Sequence, residues 1–409
     1  MAGGFPPRGG EGLAERHFLG LVPDLKIIAY TPLQGEPGRV FWHRDLGLLT
    51  RGFRKLGHEA FLAIHPQPGC GPFPSSPSPE EPVLWISPAE AASPLWWNSQ
   101  KPDLVILGLW TRPWYNPIRR AALSATSRVV ERADSDGMRT ASCGWRPYAQ
   151  RRFDYFRDRT TAWPIALSVF FSCLYAVASL MATPWMEARL ARTLRLLPAL
   201  TVETPEATRL WKSLARKLGA NPDRIHCVPH PIQTDLFVPD PAVERQNRVI
   251  AVGRWESYQK NLPLLLQTLV PFLNQHPDWS SLVLGSGLSP DSTHSRIRFS
   301  PPVSPRALAH HMQSSKIFIS SSRYESFGLA AAEAMACGCL SLGPAGLVSS
   351  DYFRSMANVP WPQRGSLLEE LRAAAACLKN DREIGPAGAC RIHDTLAPEK
   401  IAAALLSLP

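Results

Sequence analysis

Glu325 and Glu333, separated by seven residues, stand in a stretch that is otherwise small, apolar or aromatic. The segment Ser320–Glu325 follows a short apolar run, and Gly328–Met335 is rich in good helix formers before a stop at Gly338. Gly328 at the helix start lets backbone amides approach an anion, and the helix dipole favours negative charge there. Upstream, Gly253-Arg254 closes another apolar run and Lys260 lies six residues beyond the arginine. Two cations, free amides and two carboxylates are what a diphosphate joined to polyols requires. The cations and amides take the phosphates and stabilise charge building on a leaving group, while the carboxylates take hydroxyls. Singly, each residue also suits a solvated surface. Glu333 fits that alternative poorly, since alanine and methionine flank it.

Strands and helices must bring these groups together. In the second half, strands are expected over 248–253, 281–285 and 316–320, with helices over 261–273 and 305–314. The first half opens in the same style. A strand over 25–30 leads to a Gly/Pro loop, then a helical pattern over 45–56 closed by Gly57, then a strand over 59–64. Further strands are expected over 103–108 and 128–132, and the Pro/Ser/Gly-rich segment 66–84 reads as a loop. The chain is therefore expected to be α/β, with two doubly wound parallel domains facing across a cleft. Residues 1–20 read as a disordered leader without the apolar core of a secretory signal. The first domain is placed at 21–235 and the second at 236–409, because proline and charge accumulate between Pro229 and Asn247.

Together these residues resemble the retaining glycosyltransferases of family four, which have the GT-B fold. The family pattern S-x-Y-E-x-F-G-L-x-x-x-E-A-M-A-C-G is matched from Ser322 to Gly338, and its V-G-R…K-N by Val252-Gly-Arg254 and Lys260-Asn261. Its linker motif is echoed by Val228-Pro-His-Pro…Phe237-Val-Pro239, with Pro231 where the family has glycine. The likeness spans about residues 25 to 400 and is thinner in the first half. It implies that Arg254 and Lys260 bind the diphosphate, with Gly253 at the strand end beside them. It places Glu325 on the transferred sugar, the amides of Phe327, Gly328 and Leu329 near sugar and phosphate, and Glu333 on the ribose. Gly38, with Gly35 as the alternative, would let the first-domain loop approach the diphosphate. Transfer would retain anomeric configuration without a metal or other cofactor. Where many members carry a first-domain histidine, this chain has Ala133-Asp134-Ser-Asp136-Gly137, so Asp134 or Asp136 takes that place; Asp136 is carried as the catalytic candidate. After Gly338 stand Cys339, Leu340 and Ser341 instead of a small residue, proline and valine.

The implied partners are a nucleotide-sugar donor, UDP- or GDP-linked, and a glycan, lipid-linked or small-molecule acceptor. Trp42, His43, Arg44, Trp110, Arg112, Trp114 and Tyr115 are candidate acceptor-side residues. Composition bounds the rest. The 409 residues suit two domains, and 45% apolar content is globular. The formal charge of +10 suits phosphate ligands or an anionic membrane, while no zinc spacing or nucleic-acid module is present. Scattered cysteines point to a reducing, cytoplasmic setting, with Cys337 and Cys339 as small core residues. Residues 160–186 carry no charge and are strongly apolar, flanked by Arg151, Arg152, Arg157, Arg159, Arg189, Arg192 and Arg195. Three readings stay open for them: a buried helix, a helix lying in the membrane interface, or a span. Three readings of function compete with metal-independent transfer. One is a metal-dependent transferase using Asp134 and Asp136. Another is a different GT-B enzyme, such as a phosphorylase or epimerase, and the third is a non-catalytic binding subunit.

Overall fold

The computed structural model describes residues 24–37, 42–70, 73–74, 77–79, 82–135, 137–287, 294–357, 365–380 and 384–409. Strands β1 (Lys26–Gly35), β2 (Glu59–Pro66), β3 (Val83–Trp85), β4 (Leu104–Gly108), β5 (Val129–Ala133), β6 (Ala199–Val202) and β7 (Ile225–Cys227) form one sheet in the order β3-β2-β1-β4-β5-β6-β7. Strands β8 (Gln246–Arg254), β9 (Ser280–Ser286), β10 (Ile297–Ser300), β11 (Ser315–Ile319) and β12 (Leu340–Leu342) form a second, in the order β10-β9-β8-β11-β12. All pairings are parallel, and the central strands are almost continuously buried, as sheets covered on both faces require. The expected strands are all present. Those that sequence pattern missed, β3, β6, β7, β10 and β12, have only three or four residues, too few for a period to show.

Each sheet reverses its winding once, between β1 and β4 in the first and between β8 and β11 in the second. Ligands in such sheets bind beyond the strand carboxyl ends at this switch point, where successive loops diverge. The loops after β8 and β11 are those that carry Lys260 and Glu325.

The chain crosses between the sheets twice. After the linker, whose Ile232 amide donates to the Leu396 carbonyl at 3.0 Å, the last helix, Pro398–Leu406, returns to the first sheet. It packs on the helix Asp45–Lys55, where a Cβ on Gly52 would sit 2.3 Å from the Pro398 carbonyl oxygen. Arg128 also donates to the Leu406 carbonyl at 3.0 Å. The final residues thus pack against the first sheet, although they lie inside the segment 236–409 assigned to the second domain.

The uncharged stretch forms two helices, Ile165–Met181 and Thr183–Leu196, bent by 57°. Among the described residues no single helix is long and apolar enough to cross a membrane. Nor is Ile165–Met181 a core helix, for most of its large apolar side chains are exposed.

Candidate active site

The second-domain wall of the cleft is built from two loops tied to each other. Ser321 Oγ donates to the Lys260 carbonyl at 2.7 Å, Gln259 Nε2 to the Tyr324 carbonyl at 2.9 Å, and the Arg323 amide to the Gln259 carbonyl at 2.8 Å. These bonds fix Lys260 beside Glu325, and Lys260 Nζ donates to Glu325 Oε2 at 2.9 Å. Ser322 Oγ donates to the same oxygen at 3.1 Å. Gly253, near the end of β8, lies against the stem of the lysine, where a Cβ would sit 3.2 Å from Lys260 Cγ.

Gly328 precedes the helix Leu329–Ala336 with φ of 85°, a left-handed conformation that favours glycine. The preceding Phe327 is buried among Tyr352, Phe353 and the edge of the His230 ring, which anchors the turn. Residues 325–329 line a cavity of about 230 Å³, shared with Lys260, Asp134 and His230. Lys260, Glu325, Phe327, Gly328 and Leu329 thus line one cavity. Arg254 is exposed at the end of β8 and does not line this cavity. Glu333 lies on the same helix but outside the cavity lining. Burial pushes its carboxyl up to about 7, against the opposing pull of Arg44 from the first domain. Gly38 and Asp136 lie outside the described residues.

The first-domain wall is a charge network that the sequence pattern did not reveal. Arg132 on β5 grips Asp45 with both arms, Nε to Oδ2 at 2.8 Å and Nη2 to Oδ1 at 3.0 Å, and also donates to the Pro229 carbonyl at 2.9 Å. His230 Nδ1 faces Asp45 at 2.8 Å, and its Nε2 faces Glu203 just beyond β6. Burial pulls the His230 pKa down, but the charges of Asp45 and Glu203 outweigh it and raise the ring to about 10. Burial raises Glu203 to about 7, opposed by His230. Desolvation also works against ionised Asp45, yet Arg132 and His230 hold it well below the usual carboxylate range. His230 belongs to the linker motif Val228-Pro-His-Pro, and the signal available was its position there.

Asp134 extends this wall toward the other. Ser326 Oγ donates a hydrogen bond to Asp134 Oδ1, so the β5 end meets the loop after β11 directly. Asp134, Glu203 and His230 bring metal-ligand atoms within 4.8 Å of one another. Both nitrogens of His230, however, face carboxylates, and Nδ1 also lies 3.5 Å from Arg132 Nη2, so the ring is already engaged by protein groups. A second bridge joins the domains at Asp158, which accepts from Ser257 Oγ and from the Gln259 amide at 3.0 Å. Arg151 stacks on Tyr324 4.0 Å from its ring centre.

Of the acceptor-side candidates, Trp110, Arg112 and Trp114 are exposed beyond β4. Tyr115 is buried, stacked on Tyr30, and so is a packing residue. Cys337 and Cys339 are buried, as expected of small core residues.

Residues 246–343 match the family model described as Glycosyl transferases group 1. The group 1 segment runs from β8 through β12 and contains Lys260, Glu325 and Glu333. Among curated proteins, the chain is 29% identical over 161 residues to a D-inositol 3-phosphate glycosyltransferase of Acidothermus cellulolyticus, covering 32% of this chain and 36% of that one. It is 27% identical over 184 residues to a GDP-mannose:cellobiosyl-diphosphopolyprenol alpha-mannosyltransferase of Xanthomonas campestris, covering 42% and 46%. The chain thus spans less than half the length of these relatives. The fold extends further. A sucrose-phosphate synthase of Thermosynechococcus elongatus superposes with TM-score 0.59 at 15% identity, covering 93% of this chain and 97% of that one. HepE of Anabaena, solved with UDP and glucose, gives 0.57 at 13%, covering 93% and 98%. The architecture around the group 1 segment is GT-B, with two parallel sheets.

Proposed function

We propose that the protein is a retaining glycosyltransferase that moves a sugar from a UDP- or GDP-linked donor to a glycan, lipid-linked or small-molecule acceptor without a metal. The observation that carries this reading is the Lys260–Glu325 pair at 2.9 Å, on the wall of a cavity whose floor is the Gly328 turn. A diphosphate entering there draws Lys260 away from Glu325 and meets the free amides of the Leu329–Ala336 helix. Glu325, released from the lysine, accepts hydrogen bonds from sugar hydroxyls. Arg254, exposed at the end of β8, adds positive charge outside the cavity.

As the bond from sugar to phosphate breaks, negative charge grows on the leaving diphosphate and positive charge on the sugar ring. Lys260 and the helix amides stabilise the first because they are already oriented. Glu325 and Asp134 flank the second. The acceptor hydroxyl attacks on the face the leaving group vacates, and the departing phosphate takes its proton. Positive charge from Lys260, Arg254 and the helix terminus fills the role a divalent cation plays in metal-dependent transfer. The remaining partner is an anionic membrane surface at its cytoplasmic face, met by the helices between β5 and β6.

The deciding experiment incubates the chain with a panel of labelled UDP- and GDP-sugars, with and without EDTA, and analyses the anomeric configuration of the product. Transfer that survives EDTA with retained configuration is the expected result. Strict dependence on added Mn²⁺, or an inverted product, would sink the reading.

A further inference from the structure

The connection from β5 to β6 is far longer than a crossover requires, and it holds the helices Trp145–Arg159, Ile165–Met181 and Thr183–Leu196. The middle helix is inside out. A helix on a globular domain normally turns an apolar stripe inward and polar residues outward. Here Ser168 and Ser172 are 0% exposed, and Ala176 and Ser179 are buried below them, at a spacing of one helix face. This inward face is polar because it receives guanidinium groups from the helix before it. Arg157 donates to Ser168 Oγ, and Arg152 donates to Ser179 Oγ at 3.2 Å and to the Tyr175 hydroxyl.

The opposite face carries Leu167, Phe170, Leu174, Val177 and Met181, three or four residues apart, with Phe170 57% and Met181 79% exposed. No charged residue occurs between Arg159 and Glu187. The stripe runs along a helix about 25 Å long, and a contiguous apolar face of that length marks an interaction surface.

Its borders say what covers it. Trp163 lies before the helix and Trp185 after it, both exposed. Arg159 and Arg192, also exposed, lie outside the tryptophans. Arg189 stacks on Trp185 and lies close enough to Arg112 to feel its charge, which brings the exposed Trp110 and Trp114 loop to the same border. Tryptophan belongs at the boundary between apolar and aqueous layers, and arginine beside it suits anionic headgroups. Residues 145–196 hold eight arginines against Asp154, Asp158 and Glu187, so half of the chain's formal excess of +10 lies in this one excursion.

We propose that the Ile165–Met181 helix lies flat in the headgroup region of a bilayer rich in anionic lipid, apolar stripe toward the acyl chains, rimmed by Trp163, Trp185 and the flanking arginines. The helix enters the interface and does not cross it. This deepens the proposed function by seating the first domain where a lipid-borne acceptor resides, and it holds whether or not transfer is observed.

Flotation of the full chain on phosphatidylglycerol-containing vesicles, against vesicles of phosphatidylcholine alone, tests it. Binding to the anionic vesicles is expected, falling about tenfold or more on neutral ones. Phe170→Gln with Leu174→Gln should abolish flotation while the thermal shift given by UDP or GDP stays unchanged, which shows that the variant folds. Arg159→Gln with Arg192→Gln should reduce the preference for anionic vesicles. Absence of flotation, or flotation indifferent to the glutamine pair, overturns the proposal. So does a wild-type dimer that the glutamine pair turns to monomer without any vesicle binding, since the face would then serve a second copy of this chain. Failure of the nucleotides to shift the melting temperature counts against the transferase reading alone.

Discussion

On the second-domain wall of the cleft, the groups facing the cavity come from two neighbouring loops and remain partly open to solvent. The side chains of Lys260 and Glu325 are 21% and 19% exposed. On the first-domain wall, the charges come from a helix start, two strand ends and the linker, scattered from Asp45 to His230, and Arg132, Glu203 and His230 are almost closed off. Each charge there already has a protein partner: Arg132 holds Asp45, and His230 lies between Asp45 and Glu203. The second wall can exchange its internal ion pair for a ligand at little cost. The first cannot, because extracting one member would leave another buried and uncompensated. Under the proposed function the second-domain wall takes the ligand, while the first is a scaffold that presents Asp134 toward Ser326. Substitutions should therefore damage function on one side and folding on the other.

The largest functional loss is expected for Lys260→Ala. Turnover should fall about 10³-fold, and the affinity for UDP or GDP by calorimetry at least about tenfold, since one preorganised cation is removed from a leaving diphosphate. Its unfolding free energy should move by only about 1 kcal/mol, as for a partly exposed ion pair. Unchanged nucleotide affinity would remove Lys260 from the phosphate site.

His230→Ala reverses that pattern. Leaving Glu203 and Asp45 without their shared cation should cost about 3–5 kcal/mol in denaturant unfolding. The ring also sets a pH dependence. Its folded pKa is raised from 6.5 to about 10, so its stabilisation is complete below 6.5 and disappears as pH rises through about 10. A variant whose stability loses this slope supports the network; a loss below about 1 kcal/mol would show that the first wall is not a scaffold.

Glu325→Ala should lower turnover about 100-fold while nucleotide affinity changes only a few-fold, because its proposed contact is to the sugar. Equal loss in both would move Glu325 to the nucleotide and leave Asp134 as the cavity's sugar-facing carboxylate.

The same contrast explains what was legible in the amino-acid sequence. Lys260, Glu325 and Gly328 lie in contiguous segments, where a strand, a turn and a helix follow from local pattern. Asp45, Arg132, Glu203 and His230 meet only through the order of strands in the sheet, and each alone resembles an ordinary surface residue. Glu203 follows β6, a strand of four residues with no visible period. The inverted polarity of Ile165–Met181 was equally hidden. Its composition is apolar, and only the packed structure shows that its serines face inward to receive arginines from another helix.

Glu333 gives the smallest expected effect and the finest test, because it belongs to neither wall's cavity lining yet lies within reach of Arg44's charge across the domains. Burial raises its carboxyl to about 7, so it is ionised above that pH and neutral below it. If it accepts hydrogen bonds from ribose hydroxyls, the ionised form is the one that binds. Affinity for a nucleotide-sugar should then weaken about five- to tenfold between pH 8 and pH 6. The intact sugar donor is the right probe, since its diphosphate is esterified at both ends and does not itself titrate in that range. Glu333→Gln should flatten the profile near its low-pH level. Glu203 also titrates near 7, so a profile that persists in Glu333→Gln would assign the effect to the first wall and remove Glu333 from the ribose site.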